Sequence, residues 1–132
     1  MSRFHGVELF LIRIVVGAIF VAHGYEKYVG GVAGVANMLT KYNFPAPDMF
    51  AVILIAAELI GGTLLILGAL THWVSKVLTI VAAVALVVVH LPNGFTGQGG
   101  YEFILLILVC CIALMIAGPG KWSVDAMMKK NG

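Results

Sequence analysis

The chain alternates between long apolar runs and short polar or glycine-rich stretches. Four runs are long enough to predict transmembrane helices, because a bilayer core needs about 20 apolar residues per helix. They cover about residues 7–28, 49–70, 73–91 and 101–117. A short turn, Thr71-His72, separates the second run from the third, so these two helices should be antiparallel neighbours. The pattern predicts an all-α fold, with residues 1–132 forming a single domain that is an integral membrane four-helix transmembrane bundle.

The connection between the first and second runs, residues 29–48, contains a shorter helical pattern. Pro45 and Pro47 close this connection, and proline favours turns and the first turn of a helix. Between its glycines and these prolines, apolar residues recur at helical spacing: Val32, Val35, Met38 and Leu39. We therefore expect a short helix that lies in the membrane interface.

Composition excludes the other broad classes of protein. Of the 132 residues, 61% are hydrophobic and 11% are charged, whereas about 25% are charged in an average soluble domain. A soluble domain of this size has too much surface to hide so many apolar side chains, and disorder requires the opposite balance. The net charge of +2 is too small to mark nucleic-acid binding. The predicted partner is the lipid bilayer, and no nucleic acid is expected.

Basic residues predict the orientation of the bundle, because lysine and arginine are enriched on the cytoplasmic side. Lys27 and Lys41 fall on the side of the two longer loops. The side with both chain ends holds five basic residues: Arg3, Lys76, Lys121, Lys129 and Lys130. This excess predicts that the N- and C-termini are cytoplasmic.

Several ionisable residues lie inside the predicted spans or at their edges. A charge there is costly, so each one is a candidate functional group. Five of them fall in the outer half of the membrane: His23, Lys27, Glu58, His90 and Glu102. Because every helix contributes at least one, we expect them to line one polar pocket, where they bind a ligand or relay protons. Lys27 would alternatively extend to the interface and serve no ligand.

A structural ion pair is predicted between Arg13 and Glu58. At a rise of 1.5 Å per residue, their depths differ by about 8 Å, which two long side chains can span. The pair would relieve the desolvation cost of both charges, and it would either brace the pocket or only fix the register of the helices.

Helical periodicity predicts which faces point into the bundle. On the first helix, Arg13, Gly17, Gly24 and Lys27 share one face, where small residues allow close packing in lipid. On the fourth helix, Glu102 defines a face that continues with Leu106, Val109 and Ala113. We expect both faces to point inward.

The chemistry of the candidate pocket allows several interpretations. Histidine titrates near neutral pH, so His23 and His90, together with Glu102, suit proton transfer. The same groups would equally hydrogen-bond a quinone or another polar head group, or be satisfied by water and backbone. Two histidines and two carboxylates are also metal-ligand types, but no ligand spacing within a helix supports a metal site, and we predict none.

The order of several motifs resembles the DoxX family of small bacterial membrane proteins, over about residues 9–125. The motifs are Arg13, His23-Gly24-Tyr25-Glu26-Lys27, Glu58-Leu59-Ile60-Gly61-Gly62, Gly100-Tyr101-Glu102 and Gly118-Pro119-Gly120-Lys121-Trp122-Ser123-Val124-Asp125. The resemblance implies a four-helix, multi-pass protein of the bacterial inner (cytoplasmic) membrane. It also implies that five polar residues are shared with the family: Arg13, His23, Lys27, Glu58 and Glu102.

For function, the resemblance implies a membrane subunit of a quinone-linked redox system or of a system that detoxifies thiol or quinone stress. Quinone would be the ligand, and a redox partner protein or the quinone would carry the electrons, because the sequence has no nucleotide-binding loop. Two alternatives stay open. One is a non-enzymatic scaffold or anchor for partner proteins, and the other is a small-solute carrier, which four short helices would form as a homo-oligomer. Whether the chain is itself an enzyme, such as a quinone-linked oxidoreductase subunit without its own cofactor domain, is left open.

Overall fold

The computed structural model describes residues 6–131, and every regular element in that range is a helix. The helices are α1 (Val7–Gly30), α2 (Val32–Lys41), α3 (Pro47–Leu67), α4 (Thr71–Val84), α5 (Glu102–Ala117) and α6 (Val124–Asn131). Helix α4 continues directly into a π-helical stretch, Ala85–His90, and a 3-10 turn, Leu91–Asn93. The prediction of an all-helical fold is therefore confirmed for the described residues. Arg3 and the side chain of Lys130, on which the predicted orientation partly rests, lie outside them.

The long helices differ in how well they match a bilayer. Within the described residues, three helical stretches are long and apolar enough to cross a membrane: Val7–Gly30, Pro47–Leu67 and Thr71–Asn93. Helix α5 is also apolar but has 16 residues, about 24 Å, which is shorter than the hydrocarbon core of about 30 Å. The chain is thus a membrane protein with several apolar helices, consistent with a multi-pass arrangement.

Local sequence explains where α3 and α4 meet. Helix α3 begins at Pro47, which needs no hydrogen-bond partner in a first turn. It ends at Gly68, which has a φ of 72°, a left-handed conformation that glycine adopts readily. Because α4 begins at Thr71, the two helices are joined by a tight turn and run antiparallel.

Helices α1 and α3 form the most extensive helix contact, and glycines let their backbones approach closely. A Cβ on Gly17 would lie 2.7 Å from the backbone oxygen of Gly62, and a Cβ on Gly62 would lie 2.7 Å from that of Gly17. Two turns along α1, a Cβ on Gly24 would lie 3.0 Å from the backbone nitrogen of Leu59. The predicted inward face of the first helix is confirmed, because Arg13, Gly17 and Gly24 are buried.

Helix α2 is the short helix predicted between the first and second spans. It packs along the first turns of α3, where Val35, Ala36 and Leu39 are buried against Ala51 and Ile55. Its apolar side is therefore covered by protein. Its position in the membrane interface stays a prediction.

The predicted inward face of the fourth helix is wrong. In α5, Leu106 and Val109 are 60% and 54% exposed, and Glu102 is exposed as well. The buried residues are Ile107, Cys111 and Leu114, which pack into the main core beside α4. Because α5 is apolar on all sides, its sequence carries no amphipathic pattern from which a face can be identified.

Three chain segments meet at one end of the bundle. The backbone N–H of Lys121 donates to the carbonyl oxygen of Gly6 at 3.4 Å, and the N–H of Asp125 donates to that of Gly68 at 2.9 Å. The start of α1, the α3–α4 turn and the segment after α5 therefore lie together.

The close approach of α1 and α3 makes Gly17 intolerant of a side chain. In Gly17→Ala, the added methyl would overlap the Gly62 oxygen, and such overpacking costs about 1–3 kcal/mol. We expect that loss in the free energy of unfolding measured in detergent micelles. The matched control is Gly34→Ala in α2, where no atom lies within 4 Å of the added Cβ and alanine favours the helix. Equal stability of the two variants would contradict the close approach.

Candidate functional site

A cavity of about 380 Å³ lies between α3 and α4. Its polar part is formed by Lys27 of α1, Glu58 of α3 and His90 at the end of the π-helical stretch. The rest of the wall is apolar, and α2 contributes Met38 and Leu39 to it. The cavity is therefore a largely apolar space with a small number of converging polar groups, the usual composition of a small-molecule site.

Lys27 and Glu58 form an ion pair at the polar part of this cavity. The Lys27 Nζ donates to Glu58 Oε1 at 2.8 Å and to Oε2 at 3.2 Å. The Glu58 side chain is 7% exposed and that of Lys27 is 25% exposed. Gly24 lies one turn before Lys27 on the same face of α1, and a Cβ there would lie 3.0 Å from the Glu58 Cβ. The absence of a side chain at Gly24 therefore lets α1 approach Glu58 closely.

His90 is held by the loop that follows it. Its ring Nδ1 lies 3.0 Å from the carbonyl oxygen of Gly99, and a carbonyl oxygen can only accept, so Nδ1 is the protonated nitrogen that donates. In the neutral ring, Nε2 is then an acceptor. Asn93 donates to the same Gly99 oxygen at 3.0 Å, which ties the loop back to the helix end. The π-helical geometry at His90 is a kind of irregularity that frequently occurs at functional sites.

The cavity contains three of the five residues predicted to share a pocket, and it excludes His23 and Glu102. His23 is exposed, and its ring centroid lies 6.3 Å from that of Phe103. Glu102 is exposed at the start of α5. The prediction that these two join the pocket is wrong for a geometric reason. Successive residues are about 100° apart around a helix, so Gly24 and Lys27 face α3 while His23 faces away.

The predicted ion pair between Arg13 and Glu58 is wrong as well. Glu58 is paired with Lys27, and the Arg13 Nη2 donates to the carbonyl oxygen of Trp122 at 2.9 Å. Arg13 lies level with the end of α3, where a Cβ on Gly68 would collide with its guanidinium group. Gly68 is about 15 Å farther along α3 than Glu58. The Arg13 side chain is fully buried, so it holds the C-terminal segment and lies away from the cavity.

Asp125 completes this cluster, which we call the C-terminal clasp: Arg13, Gly68, Thr71, Trp122 and Asp125. The Asp125 Oδ1 accepts from the N–H of Leu70, and Oδ2 accepts from that of Thr71, each at 2.8 Å. The carboxylate therefore caps the first turn of α4 from a different helix. Burial by itself would raise the pKa of Asp125. The hydrogen bonds from Thr71 and Leu70 and the charge of Arg13 outweigh it, and the pKa is lowered.

Sequence reasoning missed the apolar part of the cavity. The amphipathic spacing of α2 predicts that one side of this helix is buried. It does not predict which helix that side packs against. The sequence could have predicted that Lys27 faces α3, because Gly24 precedes it by one turn on a face already predicted to pack closely. Among the described residues, no group of three or more His, Cys, Asp or Glu side chains could hold a metal ion.

Comparison with known proteins places these features in a family context. A family model described as DoxX matches residues 8–91. An uncharacterized membrane protein of Mycobacterium tuberculosis is 31% identical, covering 91% of this chain and 80% of its own. An uncharacterized protein of Haemophilus influenzae is 32% identical, covering 95% and 85%. A Bacillus subtilis protein named as a proposed oxidoreductase, CatD, is 28% identical, covering 100% and 97%. No solved structure matches the chain.

The ion pair in the cavity predicts non-additive effects of substitution. Lys27→Met leaves the Glu58 carboxylate buried without its cation, and we expect a loss of about 3 kcal/mol in the free energy of unfolding. Adding Glu58→Met should restore most of that loss, because both charges are then replaced by apolar groups. Chemical unfolding of the four proteins in a double-mutant cycle measures the coupling. Lys41→Met, at an exposed position in α2, serves as the control. Additive losses would contradict the pair.

The C-terminal clasp predicts a loss of stability in acid. Because the pKa of Asp125 is lowered in the folded protein, its contribution is fully present above the ordinary aspartate pKa of about 3.9 and is lost as the pH falls through the lowered value. Asp125→Asn removes this contribution, so its unfolding free energy should fall less than that of the wild type between pH 5 and pH 3. At pH 7 the variant should be about 1 kcal/mol less stable, because the asparagine amide keeps only one of the two acceptor oxygens. Parallel pH profiles would contradict the role of the carboxylate.

Proposed function

The chain belongs to the DoxX family of membrane proteins, and from that premise we propose that it is the membrane subunit of a quinone-linked redox or thiol/quinone-stress detoxification system. In this proposal it binds a quinone-like ring in the cavity between α3 and α4. The observation that carries the proposal is a buried Lys27–Glu58 pair at the edge of an otherwise apolar cavity. A relative in Bacillus subtilis that is named as a proposed oxidoreductase supports the redox part.

The proposal includes four passes through a bacterial inner membrane, with both termini in the cytoplasm. The path of the chain supports an even number of passes, because the N–H of Lys121, just after α5, donates to the carbonyl oxygen of Gly6, just before α1. Three passes would leave these residues on opposite sides. Helix α5 is therefore the fourth span, and its shortness is accommodated by local thinning of the bilayer. The excess of basic residues on the side of the termini favours the cytoplasm.

The donor and acceptor groups of the cavity suit a quinone and its reduced form. A quinone carbonyl accepts hydrogen bonds, and the Lys27 ammonium donates them. With Nδ1 donating to Gly99, the Nε2 of His90 would accept from a quinol hydroxyl. A volume of about 380 Å³ lies within the range of small-molecule sites, about 300–1,000 Å³. The cavity wall therefore has polar residues for the oxygens of a substituted ring and apolar residues for its carbon atoms, which supports a quinone as the ligand.

The residues of the cavity would manage protons, and a partner protein would supply electrons. Two-electron reduction of a quinone takes up two electrons from the partner and two protons. Lys27 and His90 line the cavity and would pass protons from water to the ring, and Glu58 keeps Lys27 in place by pairing with it. This chain would then bind the quinone and deliver protons to it. Partner and chain together would form the oxidoreductase, and a homo-oligomer would remain compatible with this arrangement.

A non-enzymatic membrane scaffold is the second candidate. It is favoured by one observation: both carboxylate oxygens of Glu58 already accept from Lys27, as expected of a charge pair that only holds two helices together. The cavity beside the pair favours binding. The two candidates therefore differ in whether the purified protein binds a quinone-like ring in the cavity.

Quinone binding to the purified protein tests the proposed function. We expect a decyl-benzoquinone to bind the wild type in nanodiscs, and Glu58→Gln to weaken that affinity by about tenfold or more, the effect of losing one good polar interaction. Glu26→Gln, at an exposed carboxylate in the same stretch of α1 as Lys27, is the matched control and should bind like the wild type. Thermal unfolding checks that each variant is folded. Wild-type protein that binds neither this quinone nor its tailless analogue duroquinone would overturn the proposal and favour the scaffold. Unchanged affinity in a folded Glu58→Gln would contradict the role of Glu58 in the site.

A further inference from the structure

We propose that the cavity opens sideways into the bilayer between α3 and α4, and that its ligand is a lipid-phase molecule. Such a molecule has a small polar ring at Lys27 and Glu58 and an apolar chain that leaves through this opening. The identity of the ring rests on the proposed function. The position of the opening and the need for a chain rest on separate observations.

Four residues of the cavity wall are also exposed on the outer surface of the helices. They are Ile53 of α3, at 50% exposure, and Val77, Ile80 and Val84 of α4, at 49%, 59% and 40%. A side chain that both lines a cavity and is exposed lies at its rim. All four are aliphatic, and all four lie in helices that are apolar enough to cross a membrane. The rim is therefore at the level of the lipid chains.

The packing of the helices leaves a gap at this position. The contact between α3 and α4 is the less extensive one for both helices. Helix α3 packs mainly on α1, and α4 packs mainly on α5. Small side chains in the wall, Ala57 of α3 and Ala85 of the π-helical stretch, widen the space between them. The two helices are joined by the tight turn at Gly68, so the gap lies toward their other ends.

The remaining side of the cavity is covered by apolar side chains of the protein. Met38 and Leu39 of α2 line it, as do Phe44 and Phe50, whose ring centroids are 6.1 Å apart. These side chains offer no polar contact to a water-soluble ligand entering from that side. A ligand dissolved in the bilayer meets an aliphatic rim, which loses nothing by contact with a hydrocarbon chain.

The polar and apolar parts of the cavity are arranged as such a ligand requires. Glu58 is buried and Ile53 is exposed, although both belong to α3. Five residues apart, they are about 140° apart around the helix, so Glu58 points inward while Ile53 faces the lipid. A ring bound at Lys27 and Glu58 therefore has its far side toward the opening, and an apolar chain on that side continues into the bilayer, where it also retains the molecule.

Photo-crosslinking locates the chain of the bound ligand. The probe is a benzoquinone whose alkyl chain carries a diazirine at its end, added to the full protein in nanodiscs and activated by light. Fragmentation in the mass spectrometer locates the crosslinked residue within each peptide. The specific signal is the part abolished by excess duroquinone, which has no chain. We expect this competed signal at residues Ile53, Ile80 or Val84. Lipid-facing Val52, at 54% exposure and outside the cavity wall, reports the uncompeted background.

A pair of neighbouring substitutions provides the matched control. Ile53→Trp should obstruct the rim and reduce the competed signal at least fivefold, whereas Val52→Trp, on the same turn of α3, should leave it unchanged. Competed crosslinks on Met38 or Phe44 would overturn the sideways opening and leave the proposed function intact. The opening would also be overturned if Ile53→Trp and Val52→Trp gave equal signals. The absence of any competed signal, together with no binding of duroquinone, would overturn the proposed function itself.

Discussion

The close approach of α1 and α3 at Gly17 and Gly62 sets the register on which the other features depend. With these backbones in contact, the charged residues on the same face of α1 are directed to different levels of α3. Lys27 lies level with Glu58 in the middle of α3 and pairs with it. Arg13 lies level with the end of α3 and donates to the C-terminal segment. A shift of one turn along this contact, about 5.4 Å, would separate both groups from their partners.

With this register, the two ends of the bundle have different structures. At one end, the C-terminal clasp closes the bundle, because Arg13 holds the backbone at Trp122 and Asp125 caps the first turn of α4. At the other, α2 covers the first turns of α3 and leaves a cavity beside Lys27 and Glu58. The two ends therefore rely on different charged residues, Arg13 and Asp125 at the clasp and Lys27 and Glu58 at the cavity. A buried arginine in a membrane helix is a functional candidate by default, and here Arg13 donates to the backbone of the C-terminal segment, away from the cavity.

The sequence predicted the positions of the helices and the packing face of α1, because long apolar runs and a stripe of glycines are properties of single helices. It predicted the wrong partner for Glu58, since depth was counted along each helix from loops assumed to be level. Helix α3 extends beyond the end of α1, and α2 packs along that extension, so Lys27 meets Glu58. The facing of α5 was not predictable, because a helix that is apolar on all sides has no preferred face. The cavity is formed by side chains from four helices, α1 to α4, so the pattern of any one helix does not predict it.

The central claim is that Lys27 and Glu58 form an ion pair that faces a ligand site inside the membrane. Solid-state NMR in lipid bilayers measures it most directly, with ¹⁵N at the Lys27 ammonium and ¹³C at the Glu58 carboxyl. We predict a detectable dipolar coupling between Nζ and the carboxyl carbon, as the Nζ–Oε1 contact of 2.8 Å requires, and a shift of both resonances when decyl-benzoquinone is added. Absence of the coupling would contradict the register of α1 and α3. A coupling with resonances that do not move on adding the quinone would contradict the ligand site.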